Sequence, residues 1–279
     1  MLLELRFFRE HPFALFDPVH CGDSPLMEAQ AAQVRHPSLE LADHLVPRLV
    51  DLQRAGNELL DRMHDALDRR SVASGSPVLD GALDSEASLT ELASHLGHQS
   101  IRNLGPFGRH LVRVWDPLVL MHLLWLWPGP ELRKLFGPIR SWALFLPKEV
   151  AVIDRSALDG PGVTIETTDR HQAVIDVSII NIVLREIDWR FGDIPRLGRQ
   201  LWTHIMRARQ VHSLQDETDL ALFAQHSHRW GTGFTAHPEI QRALTLSSDG
   251  ETRYRDALAQ IDEGRWRTVE AELSASLKK

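Results

Sequence analysis

The chain has 279 residues, a formal net charge of −7 with neutral histidines, 43% hydrophobic and 25% charged residues. That is the balance of an ordinary globular protein with room for one large or two modest domains. Its Lys and Arg residues are scattered, which argues against a duplex-binding protein, whose affinity comes from clustered basic residues meeting phosphates; no nucleic-acid partner is expected.

Cys21 is the single cysteine, so no intrachain disulfide can form, and the chain suits a reducing compartment. It lies in a Cys21-Gly22-Asp23 turn and reads as structural. At the N-terminus Glu4 stands where a secretory signal carries basic residues, and Arg6, Arg9 and Glu10 interrupt any apolar run. The longest uncharged apolar stretch, 117–127, is shorter than the ~20 residues that span a bilayer. A soluble, cytoplasmic protein without a membrane partner is expected.

Along the chain, 12–17 (Pro-Phe-Ala-Leu-Phe-Asp) reads as a short buried strand. Leu59, Leu60, Met63 and Leu67 recur at helical spacing after Gly56. Ser74-Gly75-Ser76-Pro77 and Asp80-Gly81 mark turns around Val78-Leu79. In Ser88-Leu89-Thr90-Glu91 the serine and glutamate can close a capping box, opening a helix lined by Leu89, Leu92 and Leu96. Residues 110–115 alternate as a strand, Val112 and Val114 on one face, Leu111, Arg113 and Trp115 on the other. Asp116 suits a helix N-cap and Pro117 its first position; Val119, Leu120, Leu123, Leu124 and Trp127 form the expected apolar face. A second helix, from Pro130 with Leu132, Leu135 and Phe136, stops at Gly137-Pro138, and 142–146 reads as a strand.

A boundary is expected near 155–168, where Asp159-Gly160-Pro161-Gly162 makes a turn cluster and 164–168 reads as extended. Beyond it the chain is helical. Ile175, Ile179, Ile182 and Val183 make one stripe, and Leu197, Leu201, Ile205 and Ala208 another. Asp216 with Asp219 can cap a helix carrying Leu220, Phe223 and Ala224. His237-Pro238 opens the next, followed by Tyr254, Leu258 and Ile261 and then Trp266, Val269 and Leu273. The fold class is α+β: a mixed α/β N-terminal lobe over 1–154, a linker over 155–168 and an all-helical C-terminal lobe over 169–279.

Chemistry is sparse. No His-Glu-x-x-His occurs among the 15 histidines. His226 and His228 would point about 200° apart on a helix; His95 and His98 share a face without an acid to complete a metal site. Gly231-Thr232-Gly233-Phe234-Thr235-Ala236 matches G-x-G-x-x-A but follows a helix, so it reads as a helix end. Asp17 and Asp116 both precede proline, and a carboxylate pair is conceivable, but capping explains Asp116. No metal, cofactor or catalytic residue is assigned, and the reading is non-catalytic. The tryptophans, 8 in all, include Trp125 and Trp127, which cannot both face one core across a single helix stripe. With Trp142 they are the candidate partner-binding aromatics, together with the cleft between lobes.

The run Arg113-Val114-Trp115-Asp116-Pro117, followed by Phe136-Gly137-Pro138-Ile139 and Trp142, resembles the effector adaptor/chaperone family of the bacterial type VI secretion system (Tap or TEC proteins). Residues 14–17, 44–49, 88–96, 219–224 and His237-Pro238 resemble further family segments in order. The chain departs from the pattern at Leu118, where the family has arginine after Asp-Pro, and at Pro18, where it has a small residue. The resemblance implies an α/β lobe and a helical lobe that grip a cognate effector protein and help load it onto the VgrG spike or its PAAR tip. In it Asp17, Arg113, Trp115, Asp116, Pro117, Phe136, Gly137, Pro138 and Trp142 are motif residues that shape the lobe. Two alternatives stand beside it: a hydrolase-like enzyme using Asp17, Asp116 and scattered histidines, and an interaction scaffold outside secretion.

Overall fold

Strand 13–16 (Phe-Ala-Leu-Phe) is buried at every position, which a strand can be only when both faces of its sheet are covered. The computed structural model describes residues 5–19, 21, 24–70, 78–159 and 166–276. The chain divides into two compact units, Met1–Val174 and Ile175–Lys279. The turn at 74–77, residues 22–23 of the Cys21 turn and 160–165 of the expected linker lie outside the described residues.

In the first unit, in chain order, are α1 (Leu5–Glu10), β1 (Phe13–Phe16), β2 (Ala31–Gln33), β3 (Arg48–Asp51), α2 (Leu52–Ala55), α3 (Asn57–Arg70), β4 (Gly81–Ser85), α4 (Leu89–Gln99), β5 (Ile101–Asn103), β6 (Arg109–Leu111), α5 (Pro117–Leu126), α6 (Gly129–Phe136), β7 (Ile139–Phe145), β8 (Val150–Asp154) and α7 (Thr167–Ile175). Six strands form one antiparallel sheet in the order β2-β3-β1-β4-β7-β8, and β5 and β6 pair separately as a small ribbon. Because side chains alternate across a strand, Ala14, Phe16, Val50, Ala82 and Ala143 share one face. That face joins Phe8, Leu26, Leu59 and Met63 in a core cluster. Leu15, Leu49, Leu83 and Trp142 are buried on the other face, where the rings of Trp142 and Phe136 of α6 meet edge-on at 5.7 Å.

The α4 capping box forms as its sequence dictates: the Ser88 hydroxyl accepts from the Glu91 N–H, and the Glu91 carboxylate accepts from the Ser88 N–H. Asp116 caps α5, with Oδ1 accepting from the Leu118 N–H at 2.9 Å and Pro117 at the first position. Gly137 ends α6 at φ 51°, with its own N–H donated to the Arg133 carbonyl. A Cβ there would lie 2.3 Å from the His95 ring, so the helix stop is also a close approach that only glycine allows.

Several expectations are corrected. Asp80-Gly81 is no turn; Gly81 opens β4 beside Trp142, where a Cβ would sit 2.8 Å from the indole nitrogen. Strand 110–115 stops at Leu111, because Val114 and Trp115 already turn toward α5 and Trp115 is buried. Helix α5 has no single apolar face: Leu120, Met121, His122, Leu123, Trp125 and Leu126 are all buried. A helix apolar nearly all round is buried all round. Residues 155–159 form a 3-10 turn and Thr167 already starts α7, so Thr167-Thr168 is helical rather than extended.

The second unit holds α8 (Val177–Leu184), α9 (Ile194–His212), α10 (Glu217–Trp230), α11 (Pro238–Ser248), α12 (Tyr254–Ala259) and α13 (Glu263–Ser276). Leu197, Leu201, Ile205 and Ala208 are buried on α9, and α10 packs against α8 and α9. The expected stripe 175–183 is broken at Asp176, and Ile182 is exposed. Asp176 is itself fully buried, and the Arg209 guanidinium clasps both its oxygens at 2.6 and 2.7 Å.

Asp216 caps α10 through the Thr218 and Asp219 N–H groups. Asp219 takes a different role: buried on α10, it accepts from the Tyr254 and Arg255 N–H groups and so caps α12. This is a tertiary cap, supplied by a residue 35 positions earlier in the chain.

A buried carboxylate that loses its guanidinium keeps its desolvation cost. Arg209→Ala is therefore expected to lower stability by about 3–5 kcal/mol, and Arg209→Lys to recover only part because the two-pronged contact is lost. Denaturant unfolding followed by circular dichroism checks this; a loss under about 1 kcal/mol for the alanine variant would remove the clasp's assigned role.

Candidate functional site

The sequence-predicted carboxylates Asp17 and Asp116, 99 positions apart in the 279-residue numbering, converge on one guanidinium. Asp17 ends β1 and Asp116 precedes α5; Arg113 Nη2 lies 3.1 Å from Asp17 Oδ2 and 3.6 Å from Asp116 Oδ2. The remaining oxygens are engaged locally: Asp17 Oδ1 accepts from the Val19 N–H at 2.9 Å, and Asp116 Oδ1 from Leu118. The pair thus acts as turn former, helix cap and counter-ion to a shared arginine, the separate uses that Asp side chains make of nearby N–H groups. Of the three, Arg113 has the most exposed side chain, at 39%.

Beneath them lies a third carboxyl that sequence reasoning missed. Asp80 is 2% exposed, and its Oδ2 accepts from the Asp17 N–H at 2.5 Å. The Cys21 thiol is a weak second contact at 3.9 Å. Its backbone is tied as well: the Asp80 N–H donates to the Leu15 carbonyl, and the Asp80 carbonyl accepts from the Phe145 N–H. Burial pushes the Asp80 carboxyl up to about 7, helped by the charges of Asp116 and Asp17 and opposed by the Asp17 N–H and Arg113. The only sequence signal was the Asp-Gly pair, which reads as a turn. Nothing local distinguishes it from a strand start whose glycine clears an indole.

The second half of the motif forms its own contact, on the far face of the sheet. Phe136, Gly137 and Trp142 are brought together: Phe136 meets Trp142 edge-on, and the His95 ring under Gly137 bonds the Leu135 carbonyl at 2.8 Å. Pro138 follows, its carbonyl accepting from the Ser85 hydroxyl at 2.9 Å. Trp115 and Pro117 are buried at the turn into α5.

The partner-binding aromatics do not stand as expected. Trp125, Trp127 and Trp142 are 4%, 7% and 0% exposed. Trp125 donates to the His122 ring at 3.1 Å, Trp127 lies under the Arg102 guanidinium at 4.6 Å, and Trp142 fills the sheet face beside Gly81. Trp125 and Trp127 are enclosed because α5 is buried around its circumference, and Trp142 because it faces the core from β7; that removes the ground for placing these three in partner contact.

Of the histidines that the spacing singled out, His226 and His95 are used in packing. Buried His226 hydrogen-bonds the Tyr254 hydroxyl at 3.1 Å among the rings of Trp230, Phe234 and Trp266; burial first, then the Arg229 charge, holds it down at about 4. His98 is exposed and bonds the Ser94 carbonyl, while His95 faces Leu135, so the two do not converge. Among the described residues no group of three or more His, Cys, Asp or Glu is arranged to hold a metal ion. No helix of the described residues is long and apolar enough to cross a membrane. Gly231 ends α10 at φ 70° and a 3-10 turn follows, so the Gly231–Ala236 run is a helix end without a phosphate-binding strand before it. Comparison with protein-family models, with curated proteins and with solved structures finds no match to this chain.

Two pH effects of opposite sign follow. Asp80 is held above its unfolded value of 3.8, so its contribution is full below that pH and declines as pH rises toward 7, at up to about 1.4 kcal/mol per unit. Asp80→Asn removes that slope. Its stability relative to the parent should climb from pH 4 to 7 and then level off, measured by urea unfolding; a constant difference across that range would exclude the assignment. His226 is held below its unfolded value of 6.5, so its contribution is present above that pH and is lost as pH falls toward 4. Tryptophan-monitored unfolding should show this acid slope in the parent and lose it in His226→Gln; an unchanged slope in the variant would show that another group carries it.

Proposed function

We propose that the chain is a non-catalytic adaptor that binds a cognate type VI secretion effector and helps load it onto the VgrG spike or PAAR tip. The observation that carries the reading is the family-like motif together with the way its residues converge. Asp17, Arg113 and Asp116 make one ion cluster, and Phe136, Gly137 and Trp142 one packed contact. A motif whose members meet in space is better support than the same residues scattered over a surface. In this reading the motif builds the platform, and the residues that select the effector lie elsewhere. Leu118, where the family has arginine, is half-buried on the first turn of α5; a contact made by that arginine would be missing here.

The test is co-expression with the effector, spike and tip candidates encoded beside it, followed by affinity capture and size exclusion. A stable complex with one effector, persisting through gel filtration, is expected. If none of the neighbouring effector or spike proteins associates with the purified chain, the adaptor reading falls.

An enzymatic alternative has one favourable observation, the carboxyl of Asp80 poised near 7 beside Asp17. It requires a hydrolytic rate with an apparent pKa near 7 that Asp80→Asn abolishes. A rate insensitive to that substitution would exclude Asp80 as its acid or base.

A further inference from the structure

We propose that β8 is a docking edge on which a short extended segment of a partner protein adds as a seventh strand, with a basic residue facing Asp154 and β-branched residues facing Val152 and Val150. The case begins with which way the β8 backbone points. In the β7–β8 hairpin the Leu146 N–H donates to the Glu149 carbonyl, and the register pairs Leu144 with Ala151 and Trp142 with Ile153. Alternation of hydrogen-bonded and non-bonded pairs then turns the N–H and C=O groups of Ala151 and Ile153 toward β7. Those of Val150, Val152 and Asp154 turn away from it. An independent bond agrees: the Phe145 N–H donates to Asp80 on the opposite side of β7, so Phe145 and its partner Val150 do not bond each other.

β8 ends the six-strand order. Among the described residues no backbone group bonds the outward N–H or C=O groups of Val150 and Val152 or the N–H of Asp154, whose C=O begins the 3-10 turn at Arg155. After Asp154 the chain turns back toward α6, where the Leu158 carbonyl approaches Gly129 and Arg155 bonds the Gly137 carbonyl. Val152 is left 49% exposed. At the other end of the sheet β2 has only three residues, Ala-Ala-Gln, and none of the large exposed hydrophobics lies on it.

An unpaired edge of this kind is a template for another strand, and proteins that do not use one blunt it with proline, lysine or a bulge. β8 reads Val-Ala-Val-Ile-Asp, without lysine or proline, and its register with β7 is unbroken. The size of the edge selects the occupant. Five residues extend about 16 Å, which suits a peptide added by main-chain bonding. It falls well short of the ~1,200–2,000 Å² that a stable dimer buries. Chemistry narrows it further. The side chains of Val150, Val152 and Asp154 project on one face, where Val150 packs against the core cluster containing Phe145. Residues opposite the two valines would extend that apolar surface, and the exposed Asp154 would accept a cation. Antiparallel addition gives, from N to C, the order basic–x–β-branched–x–β-branched. This inference stands apart from the secretion reading, since any partner strand of that chemistry satisfies it.

The probe is a fluorescein-labelled peptide, Thr-Arg-Thr-Ile-Thr-Val-Thr, titrated with the full chain by anisotropy and by amide hydrogen exchange. Saturable binding is expected, with the Val150, Val152 and Asp154 amides exchanging fast in the chain alone and at least ten-fold slower with peptide. Val152→Pro removes only an outward N–H, which an edge strand tolerates, and should weaken binding at least ten-fold while leaving the thermal midpoint within a few degrees. Asp154→Lys should instead favour the peptide with glutamate in place of arginine. Should Val152→Pro prove unstable, the exchange data on the parent and the Asp154→Lys reversal still decide. The proposal is overturned if the three amides are already protected without peptide or gain no protection with it. It is overturned equally if they become protected only as the chain's own concentration rises, which would make a second copy the occupant.

Discussion

The fold of the first unit hangs on Asp80. Its main chain bonds β1 on one side, through Leu15, and the end of β7 on the other, through Phe145. Its carboxyl then reaches forward to the N–H of Asp17, where β1 ends. One residue therefore fixes where the central strands lie alongside each other. The next residue, Gly81, must lack a side chain for Trp142 to lie against it. The register is set by this pair in the sense that a one-residue slip would bring a Cβ against the indole and turn every side chain to the wrong face.

That arrangement buries acid, and the surroundings limit its cost. Asp80 is relieved by keeping its proton to about pH 7, whereas Asp17 is relieved by Arg113, which it shares with the cap of α5. The second unit handles buried carboxylates by other means: Asp176 by a two-pronged arginine, and Asp219 by two backbone N–H groups at the start of α12. In all four cases a carboxyl joins segments far apart in the chain. Burying an acid is worthwhile where it satisfies N–H groups or a guanidinium that would otherwise be stranded. For the motif residues this means that Asp17, Arg113 and Asp116 do structural duty first, whatever binds the protein.

What could be read from the sequence was local in origin. The Ser88–Glu91 box, the Asp116-Pro117 start, the Gly137-Pro138 stop and the apolar stripe of α9 depend on neighbours within a few positions, and each appears where the spacing puts it. What could not be read depended on distant partners. Asp219 has the spacing of a cap for its own helix but caps another, because α12 packs its N-terminus there. Asp80-Gly81 has turn composition but lies in the sheet centre. Trp125 and Trp127 defeat a one-face argument because α5 is enclosed on all sides. Of the candidate site, the Asp17–Asp116 pairing was visible only as two Asp-Pro steps; the arginine joining them and the carboxyl beneath came from the fold.

The same distinction decides where recognition can reside. Tryptophans draw attention as partner anchors because they bury much area with few rotatable bonds. Yet a side chain already enclosed by its own fold has no area left to offer, and here the three suspected indoles are enclosed. Backbone groups follow another rule: an edge strand keeps unspent N–H and C=O groups however well its side chains are packed. β8 combines both conditions, with Ala151 and Ile153 anchored inward and Val152 and Asp154 outward. Its unbroken register with β7 keeps the strand extended along its length. Recognition by such an edge costs little ordering on the protein's side, so its selectivity must come from the few side chains flanking it. Those are the valines and the single aspartate.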